Sequence, residues 1–286
     1  HKNTGIVWFR NDLRSQDNNV LNSALMSSNR VIGVYFLDPK LSETTKYGFK
    51  KMDRYRVRFL LETLHCLKQE LNKLNISLLV FNTAPEHKMS SLITSFDVDS
   101  IFLQKEWTSE EQLSLGKVKN VLPKGIKIHE IYDQFLFDPE DVPFGAHETP
   151  VVFTQFRKLL EKKSKVKPLV ELKPQNIHYL INQHTKIPNL IDLGFDNFEK
   201  DDRTVFPFEG GEISADLRLN HYFYESKALG VYKKTRNGLL GLNYSSKLSA
   251  WLANGSISAR QIYWKVKLFE EQYFSNQSTY WLVFEL

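Results

Sequence analysis

Gly5-Ile6-Val7-Trp8-Phe9 is an uncharged, mostly apolar run that breaks abruptly into Arg10-Asn11-Asp12-Leu13-Arg14. A short, near-continuous apolar run suits a strand buried on both faces, the kind found in parallel sheets. Val31–Phe36, Ile76–Phe81, Ile101–Leu103 and Ile126–Ile131 repeat the pattern downstream. Between the second and third runs, Val57, Leu60, Leu64, Leu67, Leu71 and Leu74 recur at helical spacing and form one apolar stripe. Arg54, Arg56, Lys68 and Lys73 fall mostly off it. Thr108 followed by Glu111 has the spacing of a capping box and predicts a helix of about 13 residues. Strands separated by helices predict an α/β, doubly wound parallel sheet over residues 1–131, with ligands at the carboxyl ends of its strands.

The character changes over residues 132–206. Prolines at 139, 143, 150, 168 and 174 interrupt regular structure, which predicts an inter-domain connector with short helices, Phe153–Lys163 among them. Its lysines, dense over Lys158–Lys173, read as a solvated surface. Residues 207–286 read as helical: Leu217, Tyr222 and Phe223 are expected to share an apolar face, and Ile262, Val266 and Phe269 recur at helical spacing.

With 286 residues and 42% hydrophobic content, the chain has enough apolar surface for about two domains. The single cysteine, Cys66, excludes a disulfide framework and a CxxC metal knuckle, and no metal site is expected. No apolar run has a membrane helix's length, and the start is too short for a signal peptide. P-loop, GxGxxG, HExxH and GxSxG motifs are absent. A net charge of +5 permits an anionic partner without requiring one.

Local charge says more. Ser226–Phe269 contains no Asp or Glu but eight basic residues: Lys227, Lys233, Lys234, Arg236, Lys247, Arg260, Lys265 and Lys267. Such a one-signed stretch is an anion footprint. Within it, Tyr244-Ser245-Ser246-Lys247-Leu248-Ser249 precedes the apolar Ala250-Trp251-Leu252-Ala253. Hydroxyls and free N–H groups at a helix start can hold a phosphate; the same pattern also describes an ordinary N-cap. Tyr232, Tyr244, Trp251, Tyr263 and Trp264 lie among the basic residues, either to stack on a flat heterocycle or to fill a core.

Together these stretches resemble the photolyase/cryptochrome family. Trp8–Arg14 with Asp17-Asn18 resembles its opening, Phe153-Thr154-Gln155-Phe156-Arg157 its connector helix, and Phe208-Glu209-Gly210-Gly211-Glu212 the entry to its flavin domain. Arg218-Leu219 and Tyr222-Phe223 follow that entry. Tyr232-Lys233-Lys234-Thr235-Arg236-Asn237-Gly238, Tyr244–Lys247 and Ser278-Thr279-Tyr280-Trp281 are most like the DASH-type cryptochromes. The resemblance implies an antenna-chromophore domain at 1–131, the connector at 132–206, and at 207–286 an all-α FAD-binding domain present only in part. It implies a 5,10-methenyltetrahydrofolate antenna, and an excited reduced flavin that splits a cyclobutane pyrimidine dimer flipped out of UV-damaged, preferentially single-stranded DNA. It makes Tyr232 a flavin contact, Ser245, Ser246, Lys247, Leu248 and Ser249 the FAD phosphate loop, and Arg236 a DNA-facing residue. Glu106 becomes the folate-contacting carboxylate and Glu285 the acid that hydrogen-bonds the dimer.

The pattern departs from the family in two places. The chain stops at Phe284-Glu285-Leu286, where the family's helix continues into a further helical half. A fragment is therefore expected, with Gly5–Ile131 folded and Gly210–Leu286 loosely ordered and weak for FAD. Asn254–Arg260 also lacks the family's usual Cys and Pro. The rival readings are a blue-light photoreceptor or nucleic-acid-binding flavoprotein with little repair, an inactive truncated product, and an unrelated electron-transfer flavoprotein. The expected state is a monomer with no membrane partner. The compartment is cytoplasmic or undetermined, since an organellar transit peptide before residue 1 is compatible with the sequence.

Overall fold

In the computed structural model, which describes residues 3–181, 183 and 185–286, five strands pair in parallel in the order β3-β2-β1-β4-β5. They are β1 (Thr4–Phe9), β2 (Arg30–Phe36), β3 (Leu78–Phe81), β4 (Val98–Gln104) and β5 (Lys127–Ile131). Each coincides with an expected run, though β4 begins at Val98 rather than Ile101 and β3 at Leu78 rather than Ile76. The crossovers are α1 (Asn19–Ser27), α2 (Arg54–Lys73), α3 (Pro85–Phe96) and α4 (Ser109–Val121).

Alternation along the strands separates two cores. Val7, Phe9, Val31, Tyr35, Leu78 and Val80 face α1 and the stripe of α2. Ile6, Trp8, Ile32, Val34, Leu79, Ile101 and Leu103 face α3 and α4. The α2 stripe is buried as its spacing predicts, Leu74 excepted, which caps the helix and is half-buried. Thr108 stands at the N-cap of α4, but its side chain makes no capping bond, and Glu111 lines a cleft instead. Leu115 and Val118, packed against the sheet, anchor that helix.

The connector carries α5 (Phe153–Lys163), as expected, and single turns elsewhere. It is fastened to the sheet: the Gln175 side chain accepts from Val31 N–H at 2.8 Å and donates to Val31 C=O at 3.0 Å. Ile187, Leu190 and Phe195 add to the core on the α2 side.

The helical segment comprises α6 (Glu212–Asn220), α7 (Tyr232–Thr235), α8 (Ser249–Asn254), α9 (Ala259–Gln272) and α10 (Gln277–Glu285). Tyr222, Phe223, Trp251, Ile262, Val266 and Phe269 form its core. Helices α6, α8, α9 and α10 thus share a packed core where loose order was expected, while residues 237–243 are irregular and exposed. Leu217 does not join Tyr222 and Phe223; it is 65% exposed. At about 100° per residue Leu217 lies about 140° and 120° around the helix from Tyr222 and Phe223, off the face that Ala215, Arg218 and Leu219 bury with them.

The two halves meet closely. Gly255 has φ +74°, and a Cβ there would lie 2.0 Å from the Asn11 carbonyl oxygen. The Leu13 N–H donates to Asn254 C=O at 3.1 Å. Buried Arg14 and Arg260 reach Asp133 at 2.5 and 2.6 Å, and Arg260 also reaches Asp17 at 2.9 Å. The charged residues after β1 therefore join the α/β layer to the helical segment.

Candidate functional site

Strand order reverses between β1 and β4, which opens a crevice beyond their carboxyl ends. Arg10–Asp12 leave β1 there, and Lys105-Glu106 leave β4. Glu106 is 5% exposed, and its carboxylate accepts from the side-chain amides of Gln104 at 3.0 Å, Gln134 at 2.6 Å and Asn11 at 3.4 Å. Beside it, Trp107 stacks on Tyr132 with ring centroids 5.5 Å apart, and Phe135 packs 5.0 Å from Trp107.

A neighbouring cleft of about 970 Å³ runs from Trp8, Arg10 and Phe36 across Tyr55 and Phe59 to Phe206 and Phe208. Its walls are aromatic, with a polar rim that includes Lys40, Lys51, Glu86 and Lys117. Arg10 Nε and Nη1 and Glu111 Oε2 are buried in this region without a protein partner among the described residues. Burial pushes the Arg10 guanidinium below its ordinary value, against the pull of Glu106 and Asp12. An aromatic cleft with a few unpaired polar atoms takes a flat heterocycle.

The second constellation lies in the helical segment. Arg218, buried on α6, donates to the carbonyls of Ser246 (2.9 Å), Leu242 (2.9 Å) and Ser245 (3.0 Å) and to Asn243 Oδ1 (2.9 Å). This draws the loop's carbonyls to one side. Lys247 is left-handed at φ +64° and Leu248 follows in the right-handed region, a sequence that makes successive N–H groups converge. The N–H groups of Ser245, Ser246, Lys247 and Leu248 and the hydroxyls of Ser245, Ser246 and Ser249 have no acceptor among the described residues. The Lys247 ammonium sits 3.5 Å from the Tyr244 ring centroid. Free donors and one cation suit a pyrophosphate. The Arg218-Leu219 motif gives Arg218 no role by itself; its signal in the sequence is a lone cation between Leu217 and Leu219.

Nearby, Tyr232 is buried on α7, and burial pushes its phenol up. Arg236 pairs with Glu285 at 2.9 Å, and Glu285 also accepts from the Trp281 indole N–H at 3.0 Å. The Trp281 ring lies under both Lys233 and Arg236. α7 and α10 thus bring Tyr232, Arg236 and Glu285 together, while Glu106 sits in the α/β layer.

The acid-free run of sequence is not acid-free in space. Arg260 is buried against Asp17 and Asp133, Arg236 pairs with Glu285, Lys265 with Asp216 and Lys267 with Glu270. Lys227, Lys233, Lys234 and Lys247 remain without a carboxylate partner among the described residues, so the anion footprint narrows to their surroundings. Of the aromatics, Trp251 is core, fully buried with its indole N–H on Glu209 C=O.

Residues 5–175 match the DNA photolyase family. The chain belongs to that family. Its relatives include the DASH cryptochrome of Gloeobacter violaceus, 38% identical over 99% of this chain and 57% of the relative. The chloroplastic/mitochondrial DASH cryptochrome of Solanum lycopersicum is 37% identical over 100% of this chain and 52% of its own length. The crystal structure of Synechocystis cryptochrome superposes with a TM-score of 0.90 at 36% identity, covering 100% of this chain and 59% of that one. A class III photolyase from Agrobacterium tumefaciens shares the fold, with a TM-score of 0.76 at 20% identity. The chain therefore spans a little more than half the length of these relatives. Members of the family normally bind FAD, and the donor set of Ser245–Ser249 fits its phosphates. No helix among the described residues is long and apolar enough to cross a membrane.

Proposed function

We propose that this chain carries the antenna layer and the first part of the flavin site of a DASH-type, light-driven DNA photolyase. The observation that supports the reading most is the convergence of Tyr232, Arg236 and Glu285 beside a phosphate loop shaped by Arg218. Reduced FAD, when bound and excited, supplies the electron that splits a cyclobutane pyrimidine dimer. Ser245–Ser249 hold the phosphates through backbone N–H groups and hydroxyls. Tyr232 would contact the flavin. Glu285 is held by Arg236 and the Trp281 indole, so its carboxylate is positioned to accept hydrogen bonds from the flipped bases, while Arg236 draws in the strand's phosphates. The preferred substrate is UV-damaged single-stranded DNA and the protein acts as a monomer. The Glu106 carboxylate, with Trp107 stacked nearby, serves a methenyltetrahydrofolate antenna.

The test illuminates the protein, loaded with reduced FAD, on a single-stranded oligonucleotide bearing a dimer. The reading predicts blue-light-dependent dimer loss, slowed about tenfold or more by Glu285→Gln, the size of a lost hydrogen bond to a charged group. No light-dependent loss from flavin-loaded protein would reject repair and leave the photoreceptor reading.

A further inference from the structure

Lys46-Tyr47-Gly48-Phe49-Lys50, between β2 and α2, takes no part in the constellations above. It forms a small hairpin closed by an antiparallel bridge between Thr44 and Lys50. The Thr45 N–H donates to Phe49 C=O at 2.8 Å, and the Gly48 N–H to Thr45 C=O at 3.0 Å, with Gly48 left-handed at φ +83°. Tyr47 and Phe49 flank Gly48 with their rings 18° from parallel and centroids 6.2 Å apart. They are 72% and 61% exposed. The Lys46 ammonium lies 5.1 Å from the Tyr47 ring centroid. A third exposed ring, Tyr55, follows on the first turn of α2, with the Arg54 guanidinium 5.1 Å from its centroid. The surrounding charge is nearly one-signed. Residues 40–58 carry seven basic side chains against two acidic ones, so their net charge of +5 equals that of the whole chain. One of the two acids, Asp53, caps α2 by accepting the Arg54 N–H at 2.6 Å. Lys51 and Arg58 pair with Glu110 and Glu62, but Lys46, Lys50, Arg54 and Arg56 have no carboxylate partner among the described residues.

We propose that this hairpin and the start of α2 form a second contact surface for single-stranded DNA, carried by the α/β layer and separate from the flavin site. Exposed aromatic faces flanked by unpaired cations match such a strand group for group: bases stack on the rings and phosphates meet the cations. A duplex keeps its base faces stacked on one another, so the rings select an unpaired strand. An acidic peptide would satisfy the cations and leave Tyr47 and Phe49 without a flat partner. Stacking and charge read no sequence, so the surface holds undamaged strand and needs neither lesion, flavin nor light.

The test titrates the full chain, in the dark, into a labelled and undamaged oligothymidylate of about 20 nucleotides, read by fluorescence anisotropy. Tyr47→Ala combined with Phe49→Ala is expected to weaken binding about tenfold or more, the size of lost base stacking, and to leave binding of inorganic polyphosphate unchanged. Lys46→Gln is expected to lower the slope of log affinity against log salt by about 0.7, one phosphate contact on a single strand. A bromodeoxyuridine-substituted oligonucleotide irradiated on the wild-type chain is expected to cross-link within residues 46–55, which decides the matter if the double variant fails to fold. Unchanged oligonucleotide binding by the double variant, an equal loss for polyphosphate from a folded variant, or cross-links confined to the helical segment overturns the proposal. So does a concentration-dependent dimer of the wild-type chain that the double variant abolishes, since a second copy would then occupy the surface.

Discussion

A methyl group at position 255 has no room: the backbone is left-handed and the Asn11 carbonyl fills the space. Gly255→Ala is expected to cost about 2–4 kcal/mol, measured as a shift in the urea midpoint. Asp133 is the second single-residue test. Two buried guanidiniums converge on it, and removing it leaves both short of their partner. Asp133→Ala is expected to destabilise by about 3–5 kcal/mol. Neither role was legible in the sequence. The Trp8–Arg14 stretch could be matched to a family opening, but the partners of Arg14 lie at Asp17, Asp133 and Gly255, and only folding joins them. The same holds for Gly210-Gly211. Their motif was visible, while its cause, close approach to the Phe59 carbonyl and the Cys66 side chain of α2, was not.

Periodicity was the legible signal among the elements. The α2 stripe and the Ile262, Val266, Phe269 spacing of α9 are buried as read, because a long amphipathic helix announces its inner face. α1 and α3 were not picked out individually: α1 is a nine-residue helix capped by Asn18 Oδ1 on the Leu21 N–H, 2.9 Å, and α3 starts at Pro85 with no side-chain cap. Leu217 was misplaced because positions five and six apart do not share a helix face, whereas Ala215, Arg218 and Leu219 are in phase with Tyr222 and Phe223. A paired measurement tests this. Phe269→Ala is expected to cost about 3–5 kcal/mol, and Leu217→Ala to change stability by no more than about 0.5 kcal/mol, both by denaturant titration. The acid-free run failed as a charge argument for a related reason. Ion pairs form across elements, so Arg260, an anion-binding candidate by sequence, is internal to the joint.

Across the whole molecule, the α/β layer and the helical segment behave as coupled parts with buried carboxyls at their joint. Asp12 has a raised value, so the folded state holds its proton at a pH where the unfolded chain releases it. Its contribution to stability is full below about pH 4 and is lost as pH rises through about 6. The urea midpoint of wild type should fall relative to that of Asp12→Asn across that window, and the offset between them should stay constant above it. The position of Glu106 just past the carboxyl end of β4 was legible from the alternation of strands and helices. The loop's shape was not, because it depends on Arg218 gathering carbonyls from Leu242 to Ser246. The central claim is that this loop is built for the phosphates of FAD, and the most direct test titrates FAD and riboflavin separately against the chain. FAD is predicted to bind at least about tenfold more tightly, a gap of about 1.4 kcal/mol, and Arg218→Met to abolish the difference. Equal affinities for the two flavins, or a difference that survives Arg218→Met, would contradict the account.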